Sequence, residues 1–330
     1  MRLTGLKILV TGGHGYVGSH TAKSLRSAGA EVYIVDKRYV RENIVPGTHL
    51  VGNGNYDDPV ILDNLQKLGI DGVVHCAGTS LVGPSVLDPS EYYNNNVIRT
   101  IRMLDHLKTW DKVPFIVFSS SAAVYGDSAE VPIKETSASL PVNPYGNTKM
   151  MIERILQDYS KAYGIKSYCF RYFNAAGADV RGSNLGPEPG DTHLIPRIFE
   201  AFYEGKPFEL YGTDYNTKDG TCVRDYIHVC DLALAHLTAV SELAYNNSKS
   251  KIYNLGTGHG YSNGEILDAF TEIVGNVEVV HKERRAGDPD TLVANADKFT
   301  LDTGWNPEFS DLETIIKSYQ DYYEKTKRRV

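Results

Sequence analysis

The segment Thr11-Gly-Gly-His-Gly-Tyr-Val-Gly18 constrains this chain more than any other. It follows a short β-branched run, Lys7-Ile-Leu-Val-Thr11, and leads into helical spacing from Ser19 to Ala28, with Leu25 on the apolar face and Gly29 as the stop. Glu31-Val-Tyr-Ile-Val-Asp36 then reads as a second strand. A glycine pattern is weak evidence in a chain holding 30 glycines. One wedged between a strand and a helix is specific. The runs Asp71-Gly-Val-Val-His-Cys76 and Pro114-Phe-Ile-Val-Phe-Ser119 repeat the theme. Short apolar strands separated by helical stretches imply an α/β chain with a doubly wound parallel sheet, because crossovers in such sheets are right-handed.

Glycines in that turn let the backbone approach a pyrophosphate, whose charge rests on N–H groups at the helix N-terminus. The first half therefore reads as a Rossmann dinucleotide site. Asp36 lies 18 residues beyond Gly18 and ends the second strand. A carboxylate there accepts ribose hydroxyls and repels a 2′-phosphate, which favours NAD over NADP. Lys37 and Arg38 work against that repulsion.

Tyr145-Gly-Asn-Thr-Lys149 opens a helix after Pro141 and Pro144. Residues four apart share a helix face, so the ammonium can lie beside the phenol and lower its pKa from about 10. Tyr145 then qualifies as a general base near neutral pH. Ser119-Ser-Ser121 closes an apolar strand, and the carboxyl ends of strands are where ligands gather in such sheets.

The charge balance, 34 Lys and Arg against 41 Asp and Glu, is −7. That excludes a nucleic-acid binder, which needs a basic face to displace counterions. Cys76, Cys169, Cys222 and Cys230 form no CxxC pair or other metal-ligand spacing, so no metal and no disulfide framework is expected. No apolar run reaches the roughly 18 residues a membrane helix needs, and Met1 to Lys7 leave no room for a signal peptide. A cytoplasmic protein is expected. Residues 179–192 are rich in Gly and Pro and lack periodicity, which reads as a surface excursion opening a second lobe. The expected division is 1–176 for the cofactor and 177–330 for the substrate, with a return to the first domain around 226–260. Asn96 to Trp110 and Asn147 to Tyr163 are amphipathic at helical spacing.

The glycine turn, serine-rich strand end and Tyr-x-x-x-Lys together resemble the extended short-chain dehydrogenase/reductase superfamily. Within it the chain resembles the UDP-galactose (UDP-glucose) 4-epimerases. Beyond the first turn, the resemblance is carried by Glu91-Tyr-Tyr-Asn-Asn-Asn-Val97, Ser119-Ser-Ser-Ala-Ala-Val-Tyr-Gly126, Arg171-Tyr-Phe-Asn-Ala-Ala-Gly177, Asp219-Gly-Thr-Cys-Val-Arg-Asp-Tyr-Ile-His-Val229 and Arg284-Arg-Ala-Gly-Asp288. It implies that Tyr145 is the catalytic base, that Lys149 binds the nicotinamide ribose and lowers the tyrosine pKa, and that Ser121 bridges sugar and tyrosine. It implies NAD contacts at Gly12, Gly15, Tyr16, Val17, Gly18, Asp36, Asn55, Tyr56, Cys76, Ala77, Gly78, Asn95, Ser119, Tyr145, Lys149 and Phe173. UDP-sugar contacts are implied at Ser121, Tyr145, Asn174, His193, Leu194, Glu209, Tyr211, Arg224, Arg285, Asp288 and Leu292. Two guanidiniums suit a pyrophosphate. A local ion pair with Asp225 is the plainer role for Arg224.

Asn55 replaces an aspartate common near the adenine, and His193 an asparagine near the substrate phosphate. The implied reaction is oxidation at sugar carbon 4 through tightly held NAD, turnover of the ketose, and return of the hydride to its other face. Ala122 and Ala123 stand where related dehydratases carry an acid pair, which favours epimerase over dehydratase. Leu292 either admits an N-acetyl group or only packs the wall; pentose nucleotides also remain open. An ordinary ketoreductase and a non-catalytic NAD sensor are the rival classes, and the presence of both Tyr145 and Lys149 argues against the sensor. The resemblance further implies a homodimer through the two amphipathic segments.

Overall fold

The computed structural model describes the whole chain except residues 128–129, 188–191, 247, 285–287 and 328–330. Seven strands form one parallel sheet: β1 (Lys7–Thr11), β2 (Glu31–Val35), β3 (His49–Gly52), β4 (Gly72–His75), β5 (Phe115–Ser121), β6 (Ser167–Tyr172) and, far along the chain, Lys251–Leu255. The helices between them are α1 (Tyr16–Ser27), α2 (Pro59–Leu68), α3 (Val82–Leu87), α4 (Pro89–Tyr92), α5 (Arg99–Leu107) and α6 (Pro144–Tyr163). Strand β7 (Asn174–Ala176), α7 (Leu194–Glu204), β8 (Phe208–Tyr211), β9 (Val223–His228) and α8 (Val229–Tyr245) follow. Lys251–Leu255 is β10; after it come β11 (Gly260–Ser262), α9 (Asn263–Ile273), β12 (Val279–Lys282), β13 (Thr291–Leu292), α10 (Asp297–Thr303) and α11 (Leu312–Lys327).

The sheet order is β10-β6-β5-β4-β1-β2-β3. The chain leaves β1 toward β2 and β3, then jumps back to β4 on the other side of β1. Successive crossovers therefore diverge at β1 and β4, which opens a crevice at their carboxyl ends. Alternation along the strands fills both faces: Ile8 and Val10 pack with α1 and α8 residues such as Leu25 and Leu232, while Leu9 packs with α2, α5 and α6 residues such as Leu62, Leu104 and Ile152. Fully burying each such side chain contributes about 1.5–3 kcal/mol. A separate apolar cluster joins Phe199 of α7, Phe270 of α9 and Ile316 of α11. Beside it lie a four-stranded sheet of β7, β9, β11 and β13 and the β8–β12 pair.

Helix α1 begins at Tyr16, inside the glycine motif, with Gly15 as its N-cap. The segment from Asn96 is not uniform: Tyr93–Ile98 is a wide π-type turn before α5. Helix α6 is set by local chemistry. Asn143 caps it by accepting the Gly146 amide at 2.8 Å, Pro144 fills its first position, and Gly164 ends it. Residues 179–187 carry no helix or strand.

Candidate active site

The glycine turn sits at the mouth of the crevice. Gly12 has φ +69°, and a Cβ on Gly18 would lie 2.1 Å from the Gly12 carbonyl oxygen. Neither position tolerates a side chain. No side chain caps α1 and no acidic residue occupies its first turn, so its N-terminal dipole is available to an anion. Asp36 is 5% exposed and spans the turn, its Oδ2 accepting the His14 amide at 3.0 Å and its Oδ1 the Arg38 amide at 2.9 Å. Each oxygen keeps a lone pair for a ribose hydroxyl. The Arg38 guanidinium reaches to 3.6 Å from where a Gly15 Cβ would stand.

Other residues expected at the cofactor divide into two groups. Ala77 donates its amide to Thr11 Oγ1 at 3.3 Å, while Gly78 stands 3.8 Å, measured from a hypothetical Cβ, from Lys149 Nζ. Asn95, largely buried, donates to Thr79 Oγ1 at 2.8 Å. Tyr56 points the other way: its ring is in the core and its hydroxyl donates to the Asn95 carbonyl. Asn55 is exposed beside it. Phe173 packs on Ala122, Val124 and Tyr125.

Tyr145 and Lys149 lie one turn apart on α6 against the end of β5. Lys149 is 5% exposed; its Nζ donates to the Ser119 carbonyl at 2.8 Å, 5.6 Å from the Tyr145 ring centre. Burial pushes this ammonium down to about 8, with Cys76 and Glu153 pulling it up. Burial pushes the Tyr145 phenol up to about 12, against the lowering effect of its hydrogen bond with Ser121. Ser121 Oγ also accepts the Ala123 amide at 3.2 Å, which orients its hydroxyl. A further cation entering the crevice would favour the phenolate and oppose the effect of burial on Tyr145.

A chain of hydrogen bonds backs the site. His236 Nδ1 faces the Leu232 carbonyl at 2.7 Å, so that nitrogen carries the proton and Nε2 accepts from the Tyr172 hydroxyl at 2.6 Å. The Tyr172 oxygen lies 2.7 Å from Ser119 Oγ, itself 3.2 Å from Cys76 Sγ. Burial holds the Cys76 thiol up at about 11, so it stays neutral.

On the second side of the crevice, Tyr16 of α1 donates to the Gly177 carbonyl at 2.5 Å. Tyr16, Asn174, His193, Leu194 and Tyr226 line one small cavity. Lys23 and Asp179 pair at 2.6 Å, tying α1 to the segment after Gly177. Arg224 is not paired with Asp225. Its guanidinium donates to the Val223 and Pro289 carbonyls at 2.8 and 2.9 Å and lies 3.8 Å from Asp288. Asp225 instead accepts from Thr257, Gly258 and Ala294. Glu209 and Tyr211 bond to each other at 2.7 Å on the β8 edge, with Lys282 near Glu209. Leu292 packs against the apolar cluster that contains Phe173 and Ala122. Arg285 lies outside the described residues.

Sequence reasoning missed Asn96. Its Oδ1 accepts the Thr79 amide at 2.8 Å and its Nδ2 donates to the Thr79 carbonyl at 3.0 Å and Thr148 Oγ1 at 3.1 Å. It thus pins the loop after β4 to α6. The run Asn94-Asn95-Asn96 inside a helical stretch, with Asn95 and Asn96 buried, was a signal that something other than helix propensity holds it, since asparagine is a poor helix interior residue. Among the described residues no cluster of His, Cys, Asp and Glu could hold a metal ion, and no helix is long and apolar enough to cross a membrane.

Residues 8–256 match the model of the NAD dependent epimerase/dehydratase family. The UDP-glucose 4-epimerase of Lactobacillus helveticus is 42% identical over 316 residues, 94% of this chain and 95% of that one. The structure of the Brucella ovis UDP-glucose 4-epimerase in complex with NAD superposes with TM-score 0.91 at 40% identity, over 96% of this chain and 98% of that one. The Bifidobacterium longum UDP-glucose 4-epimerase with NAD+ and UDP gives 0.88 at 34% identity, over 98% and 100%. With its glycine cradle, serine-ended strand and Tyr145–Lys149 pair, the chain belongs to the NAD dependent epimerase/dehydratase family, in its UDP-glucose 4-epimerase group.

Proposed function

We propose that this chain interconverts UDP-glucose and UDP-galactose by transient oxidation at sugar carbon 4, using NAD. The observation that carries the reading is Tyr145 and Lys149 packed against Ser119 and Ser121 beside an uncapped, glycine-lined helix start. The cradle fits a dinucleotide, since the space a Gly18 Cβ would need is already filled by the turn and Asp36 stands ready at the ribose position. When bound, NAD supplies the acceptor and donor of the hydride. Tyr145 takes the proton of the 4-hydroxyl and returns it, Ser121 links sugar and phenol, and Lys149 keeps a positive charge beside them. Arg224 gives the UDP pyrophosphate a guanidinium already fixed by two carbonyls. Ala122 and Ala123 have no proton to offer a leaving hydroxyl, which favours epimerisation over dehydration.

In this reading residues 1–176 serve the cofactor and 177–330 the UDP-sugar, apart from the return around 226–260. The protein works as a cytoplasmic homodimer. Ile98 and Met151, 43% and 38% exposed at the start of α5 and on α6, support that arrangement.

NMR of products from UDP-galactose tests the function. The wild type yields UDP-glucose, and Tyr145→Phe, still loaded with NAD, loses about 10²–10⁴ in kcat. A 4-keto-6-deoxy product, or undiminished turnover by that variant, rejects the reading.

A further inference from the structure

Three consecutive serines of β5 meet three residues of α6 spaced one turn apart. Ser121 hydrogen-bonds with Tyr145, the Ser119 carbonyl accepts from Lys149 at 2.8 Å, and Ser120 donates to Glu153 Oε1 at 2.5 Å. The third contact has no part in the reaction as read above. Glu153 is 2% exposed and Arg171, on β6, 4%. Arg171 Nε donates to the Glu153 oxygens at 3.0 and 3.2 Å, and its Nη2 to Oε2 at 2.6 Å. The far side of the guanidinium stacks on Tyr125, 4.7 Å from the ring centre, and Tyr125 donates to Asn254 Oδ1 at 2.6 Å.

A buried ion pair is no bargain in stability, since well-packed apolar residues often do as well. What the two-pronged guanidinium–carboxylate contact supplies is geometry. With Glu153 held from both β5 and β6, α6 cannot slide or turn about its axis without breaking several buried bonds at once. Tyr145 and Lys149 project from the same face of that helix. We propose that Glu153, clamped by Arg171 and Ser120, is a positioning residue that sets Lys149 and Tyr145 in register with the end of β5. The proposal rests on the reading of Tyr145 and Lys149 as the reacting pair.

Its charge acts as well as its shape. Facing Lys149 are Cys76 and His75 from β4, and Tyr145 and Glu153 from its own helix; Tyr92 and Tyr172 face Tyr145. Arg171 faces Glu153 from β6. Cys76 and Glu153 both favour ammonium at Lys149; the Cys76 thiol stays neutral, so the negative charge is that of the Glu153 carboxylate. Removing it disfavours that ammonium and eases formation of the Tyr145 phenolate, so both apparent pKa values fall.

The experiment compares the NAD-loaded wild type, Glu153→Gln, Glu153→Asp, the double variant Glu153→Gln/Arg171→Met and Tyr145→Phe, with kcat and KM for UDP-galactose followed across pH. Glu153→Gln is expected to lose about tenfold or more in kcat, as small misplacements at a reacting centre do, with KM little changed and both limbs of the kcat profile moved to lower pH. Glu153→Asp keeps the charge and leaves the limbs in place. The double variant strands no buried charge, so it folds where the single one fails, and its kcat is still reduced. A folded Glu153→Gln or double variant with kcat within twofold of wild type overturns the proposal. So does a loss of kcat in Glu153→Gln with both limbs unmoved, which is what general loosening produces. Inactive Tyr145→Phe alongside an unaffected Glu153→Gln rejects this inference alone, whereas active Tyr145→Phe rejects the reading beneath it.

Discussion

Asp36 Oδ2 accepts the backbone amide of His14 at 3.0 Å, so the carboxylate at the end of β2 is tied across the glycine turn. That fixes a negative charge at the place where the proposed reading puts the adenosine ribose, and Asp36→Asn removes it while keeping one acceptor. Affinity for NAD is expected to fall about tenfold, in line with the loss of a charge-assisted hydrogen bond. Affinity for NADP is expected to rise, helped by the Arg38 guanidinium beside Gly15. Fluorescence titration of cofactor-stripped protein with both dinucleotides reads the switch.

Leu292 packs in the cluster that contains Phe173 and Ala122. Its side chain is shorter than an aromatic one, which leaves width for an N-acetyl group at the sugar. UDP-N-acetylgalactosamine is therefore expected to turn over alongside UDP-galactose. In Leu292→Tyr, activity on the amino sugar is expected to fall at least about tenfold, the scale of a steric exclusion from an apolar pocket, with UDP-galactose turnover retained. Competition assays on the two substrates check both statements.

Four buried histidines make the fold acid-sensitive. Burial lowers His75 and His228 to about 3, and His20 and His236 to about 4. All four sit below the ordinary value near 6.5, so the unfolded chain takes up protons that the folded chain refuses. Their stabilisation is complete above about pH 6.5 and is lost as pH falls, toward 4 for His20 and His236 and toward 3 for His75 and His228, by about 1.4 kcal/mol per pH unit for each histidine. Melting temperatures measured from pH 7 to pH 5 are expected to drop steeply, and His236→Asn to flatten the slope.

Ile98 and Met151 are exposed on the α5–α6 side of the large sheet. Replacing either with aspartate adds a charge to an apolar contact that the dimer would have to bury, at a cost large against a typical interface. Sedimentation at micromolar concentration is expected to show dimers for the unsubstituted protein and monomers for Ile98→Asp/Met151→Asp.

The parts of this molecule that sequence reveals are those whose chemistry is local. The strand–glycine–helix order and the four-residue spacing of Tyr145 and Lys149 each depend on a few neighbouring positions, and both stand in the structure as read. Glu153 is invisible by that route, and for Asn96 the run of asparagines marks an oddity without naming its partners. Asn96 acts on Thr79 and Thr148, and Glu153 on Ser120 and Arg171, partners from several elements. Tyr56, expected at the cofactor, shows the converse: its side chain turns into the core, where the Asn95 carbonyl and an apolar cluster hold it.

The strand order itself has a consequence for descent. Because the chain departs from β1 and β4 in opposite directions, the gap at their ends is made by wiring and no particular side chain has to hollow it out. Residues on its rim are free to change without closing it. A lineage built on this plan can exchange one sugar for another by altering a position such as Leu292, while the vessel that receives the sugar stays the same.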